Sequence, residues 1–244
     1  MKVITPNCRV QFTAEDIEFI TGVLGKRSSE SEFLTQLLGD ESSRDLLLDN
    51  DSLLHALLEM RGCLRVSSHF YFYVLVRHAL RRAGIEGREV ADYVAEMLTE
   101  FSREENLHAR VPGQKQSLNY FFEMLGALNA ADDPTRFLLR AHMGNQSLFM
   151  TGVFPERIRR RAERKGFPDI TYFEALGQSS FREASHHRLA ERYHLEEVFE
   201  TLGDRFQQAR RALNDVADRL FALGDEAHGV EGLLRRMGSP PGVG

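Results

Sequence analysis

The residues of this chain that could do chemistry are a set of imidazoles and carboxylates at helical spacing, an amide among apolar neighbours, and a run of arginines. Helical Glu-x-x-His brings a carboxylate and an imidazole within one turn, the donor pair that carboxylate-bridged di-metal bundles use. That spacing occurs at Glu105–His108 and at Glu183–His186, with Glu59 and Glu123 placed in the order that would supply the single glutamates. Iron or another divalent metal is the cofactor such a set would hold, although nothing in the sequence requires one. With 23 glutamates and 9 histidines in 244 residues, roughly one such spacing arises by chance, so its recurrence decides nothing. Geometry counts against it too. At about 100° per residue, a helix from Asp169 buries Phe173, Leu176, Gly177, Ser180, Phe181 and Ala184. His186 then points to the polar side and His187 to the buried one. Glu123 opposes Leu118, Phe121 and Leu125, while Glu105 and His108 fall in a polar stretch before Pro112.

A second set fits the helical wheel better. A helix from Thr135 has an apolar face of Leu138, Ala141, Asn145, Leu148, Phe149 and Gly152, with His142 among them. Buried Asn and His must be hydrogen-bonded, so His142, Asn145 and His187 are expected to share a polar pocket. That pocket is either a ligand- or proton-handling site or a satisfied network that sets helix register.

The third feature is Glu156–Lys165, where Arg157, Arg159, Arg160, Arg161, Arg164 and Lys165 crowd one short helix. Arg157, Arg160, Arg161 and Arg164 could grip phosphate or an acidic protein. Interleaved Glu156 and Glu163, aromatics only at the flanks (Phe154 and Phe167) and a net charge of −5 favour a solvated helix face. Nucleic acid is therefore not an expected partner. No glycine-rich phosphate loop, G-x-S-x-G elbow or zinc-spaced Cys/His cluster occurs in the sequence.

The elements that must carry these residues are helices throughout. Thr13 reads as an N-cap with a Phe12–Ile17 staple, and Gly25 as the stop. Short helices follow through Phe33–Leu38, Glu41–Leu48 and Leu53–Met60, the last capped by Ser52. Val66–Ala83, apolar all round, belongs at the centre, and Gly87–Phe101 is amphipathic. After a polar stretch at 102–113, helices are predicted at Leu118–Leu128, Thr135–Met150 and Asp169–Tyr193, with the arginine helix between the last two. Leu195–Leu223 carries a heptad seam through Phe199, Leu202, Phe206, Ala209, Leu213, Val216 and Leu220, which must pack on its own chain or on a second copy.

The expected fold is thus all-α, a single multi-helix, bundle-like domain of about ten helices over 1–237. A sub-boundary falls near 102–113, and 238–244 form a disordered tail. Cys8 and Cys63 read as free thiols of a reducing compartment. The N-terminus has no apolar signal segment, and Phe70–Val76 is far short of the ~20 residues a membrane span needs, so the expected location is cytoplasmic with no membrane partner. The expected function is a non-catalytic interaction or regulatory module that homodimerises or takes another protein partner. The competing expectation is a helical-bundle enzyme binding a metal or small ligand through His and Glu on the 135–151 and 169–193 helices.

Overall fold

The computed structural model describes residues 2–25, 28–59, 66–102, 108–109, 118, 120–165 and 167–222. They form a short 3-10 turn, Arg9–Gln11, and thirteen α-helices. These are α1 (Ala14–Leu24), α2 (Ser28–Gly39), α3 (Glu41–Leu48), α4 (Asp51–Glu59), α5 (Ser68–Arg82), α6 (Arg88–Phe101), α7 (Phe121–Ala130), α8 (Asp133–Val153), α9 (Pro155–Lys165), α10 (Ile170–Ser185), α11 (Arg188–Arg192), α12 (Glu196–Asp204) and α13 (Phe206–Ala222). The fold is all-α: among the described residues no strand forms, and only Ala109 and Leu118 make an isolated bridge. None of the described helices is long and apolar enough to cross a membrane. Cys63 and the 238–244 tail lie outside the described residues, as does most of the 102–113 stretch.

Local chemistry sets the helix starts. Thr13 accepts from Asp16 N while Asp16 accepts from Thr13 N at 2.7 Å, a capping box. Ser67 caps α5 by accepting from Phe70 N, and Asp132 caps α8 by accepting from Thr135 N. At α4 the expected cap is displaced: Asn50, not Ser52, supplies the accepting side chain, at 2.9 Å from Ser52 N.

α5 is buried continuously from Phe70 to Leu80, as a helix apolar all round must be. It packs on α6 and on α13, which in turn lies against α8. One core cluster draws residues from Ile4 through Ala217, on both sides of the 102–113 stretch. A smaller one, with Met124, Leu128, Leu139 and Met143, holds α7 to α8.

Glycine makes the α8–α10 packing close. A side chain at Gly144 would meet the Phe181 ring at 2.9 Å, and one at Gly152 would meet Leu213 Cβ at 2.7 Å. Gly177 faces Phe206 and Ser147 in the same way.

Two long helices read from periodicity are each broken. Asp169–Tyr193 stops at Ser185, where His187 turns extended (ψ 139°) and its Nδ1 accepts from Leu189 N at 3.1 Å to start α11. Leu195–Leu223 divides at Arg205 into α12 and α13. The heptad period survives the break because Phe199, Leu202, Phe206, Ala209, Leu213 and Val216 are all buried against their own chain. Through these six residues the seam is intramolecular, and the side chain of Leu220 lies outside the described residues. Likewise Leu118–Leu128 starts late, at Phe121, with Tyr120 and Glu123 forming its capping box.

Candidate functional site

The structure distributes His142, Asn145 and His187 among separate partners. Asn145, buried, accepts from Tyr93 Oη at 2.9 Å, joining α8 to α6. Burial raises the Tyr93 pKa, and the Asn145 bond partly offsets that rise. His142 is half-buried, with its ring 5.6 Å from that of Phe101. His187 stacks on Phe137 at 5.1 Å, and its Nε2 lies 3.1 Å from Asp133 Oδ1, an ion-pair distance off the line of the ring N–H.

The metal-spaced residues are equally dispersed. Glu183 is exposed and pairs with Arg140 at 2.6 Å, and His186 is exposed beyond the end of α10. His108 is half-buried beside the Ala109 bridge, and Glu105 lies outside the described residues. Glu59 is exposed on α4, and Glu123 accepts from Tyr120 N as part of a cap. Glu191–His194, a further Glu-x-x-His, is exposed, with His194 at positive φ. Among the described residues no three His, Cys, Asp or Glu side chains converge as a metal-ligand set.

The sequence reading overlooked a buried charged network on the other side of the molecule. Arg9, on the 3-10 turn, donates through Nη1 to both oxygens of Asp45 at 2.8 and 3.0 Å and through Nη2 to Glu89 at 2.6 Å. Its backbone N–H donates to Asp92 at 2.8 Å, and its guanidinium lies 5.8 Å from the Tyr73 ring centroid. Alongside, Asp49 receives Arg77 at 2.8 and 3.1 Å and Arg88 at 2.8 Å. Asp16, fully buried, accepts from the Ser67 N–H and hydroxyl at 2.7 and 2.6 Å. One sequence signal was present: Arg77 follows an apolar run in a helix that must be central, and a buried cation requires a carboxylate.

Burial raises the Asp92 pKa to about 6, against the pull of the Arg9 N–H and guanidinium. Its folded pKa therefore exceeds the unfolded 3.8, so the cost of a buried carboxylate is absent below that pH and complete above about 6. Asp92→Asn removes this titration. Its stability relative to the parent should rise by about 3 kcal/mol between roughly pH 4 and pH 7, read from urea melts at both. A difference that stayed flat with pH would show that Asp92 is ionised throughout.

The network ties helices together inside the fold, whereas the surface around α7, α9 and α10 is built to face outward. Tyr120 and Phe122 are 57% and 70% exposed and stack at 5.5 Å with their planes 15° apart. Between them Phe121 turns in to meet Phe173 of α10 at 5.3 Å, which brings exposed Tyr172 to the same region. Phe167, 50% exposed, lies in the α9–α10 connection. On α9 itself Arg159, Arg160, Arg161 and Arg164 are exposed and Arg157 is half-buried, its pKa lowered by burial and by Arg161. In the sequence α9 has only the flanking Phe154 and Phe167 near it, because Tyr120, Phe122 and Tyr172 belong to other parts of the chain.

No protein-family model matches the chain, and neither a curated protein nor a solved structure matches it.

Proposed function

We propose that this chain is a non-catalytic interaction module that associates with a second copy of itself through the exposed aromatic face of α7 and α10. The observation that carries this reading is the solvent-facing Tyr120–Phe122 stack, with exposed Tyr172 next to the Phe173 that Phe121 meets. Aromatic side chains are the residues enriched at interface cores, where a few of them supply most of the binding energy. Charge supports self-association as the form of binding. α9 exposes Arg159, Arg160, Arg161 and Arg164, while α12 exposes Glu196, Glu197 and Glu200. A two-fold pair can set each copy's basic helix against the acidic helix of the other.

Sedimentation equilibrium tests the reading directly. The parent chain should show twice the 27.9 kDa monomer mass. The double variant Phe122→Ser/Tyr172→Ser should dissociate at least ~30-fold more readily, on the scale of one aromatic hot spot. Both side chains are solvent-exposed, so helix content should not change. A parent that stays monomeric at high concentration, or a variant that pairs as tightly as the parent, would sink the proposal.

A further inference from the structure

We infer that a cleft between the N-terminal half of α8 and the α10–α11 junction binds a small organic oxyanion, a carboxylate or phosphate ester with an apolar body, on Arg136. The cleft encloses about 390 Å³, within the range of small-ligand sites. Its floor is apolar, from Leu128, Phe137 and Ala184. Its rim carries two carboxylates, Asp133 and Glu183, and two guanidiniums, Arg136 and Arg140. Arg140 is neutralised by Glu183 at 2.6 Å. Asp133 is shared by His187 at 3.1 Å and Arg188 at 3.0 Å. Arg136, exposed on the rim, makes one hydrogen bond among the described residues, Nε to the Leu128 carbonyl at 3.3 Å, and no ion pair, with Asp132 at the start of the helix acting on it only through space.

That single bond anchors the guanidinium at the cleft while its Nη edge keeps the fork geometry that matches two oxygens of a carboxylate or phosphate. The apolar floor directly below accounts for the body of the ligand.

The test is a titration of the full chain, by calorimetry and by melting shift, with benzoate, phenyl phosphate and, as neutral control, benzamide. Benzoate or phenyl phosphate should bind saturably in the millimolar range or tighter, benzamide should not, and the stronger of the two anions assigns the headgroup. Arg136→Gln should weaken binding about tenfold or more, since a charge-assisted contact is lost. Arg211→Gln, an exposed position on α13, should leave binding unchanged. Failure of both anions to saturate overturns the inference, as does equal loss in the two arginine variants, which would signal general electrostatics. The Phe122→Ser/Tyr172→Ser chain should retain the binding, which separates this cleft from self-association.

Discussion

Arg9→Met is expected to destabilise the fold by about 3–5 kcal/mol, the cost of removing one partner from a buried ion pair. The loss does not come from the salt bridge taken in isolation. Asp45 and Asp92 are both nearly buried, with side-chain exposures of 12% and 2%; without the guanidinium Asp92 loses its cation and Asp45 keeps only Arg88, 3.5 Å away. Glu89 is 59% exposed and turns to water at little cost, so the penalty is carried by the two aspartates. Methionine fills much of the same volume, which limits the cavity contribution and isolates the charge. Against a total stability of about 5–15 kcal/mol, this shifts the urea midpoint far down with the slope unchanged. A loss under about 1 kcal/mol would mean that water already reaches the aspartates.

Gly177→Ala carries the second large effect, by overpacking. The new methyl would lie 2.5 Å from Phe206 Cζ and 2.9 Å from Ser147 Cβ. Phe206 is fully buried at the start of α13 and meets Phe181 at 6.2 Å, so its ring has no solvent to swing into. The expected cost is about 3 kcal/mol, the upper end for an inserted methylene. A double-mutant cycle identifies the cause: Phe206→Leu vacates the space, so the pair should be more stable than the sum of the single effects by about 1 kcal/mol or more. Strict additivity would point instead to a backbone effect confined to α10.

How much of this was legible in the sequence depends on the range of the interaction concerned. A helix start set by a cap three residues away, such as Thr13, could be read directly, and so could the central position of α5. The breaks at His187 and Arg205 could not, because the apolar period runs on unbroken across each. At His187 the interruption comes from its own ring accepting a backbone hydrogen bond. The glycines that let α8 approach its neighbours were recognisable as packing positions, though their partners Phe181 and Leu213 were not. The proposed pocket of His142, Asn145 and His187 assumed that residues on buried faces meet. Tyr93, Phe101 and Asp133 reach them from elsewhere in the fold or along α8, and a wheel drawn for one helix contains no information about a second helix. The Arg9 network is the extreme case, since its partners lie 36 and 83 residues away.

That separation has a consequence for the order of events during synthesis. The chain leaves the ribosome from its N-terminus, and domains assemble as their parts become available. The Arg9 N–H cannot meet Asp92, nor its guanidinium Glu89, until α6 has emerged. Until then the segment before α1 has only its partners on α3 and α5, Asp45 for the guanidinium and the His69 carbonyl for Cys8. The residues before α1 thus complete their contacts only when α6 has been made, and they close over α5 and α6 as a latch.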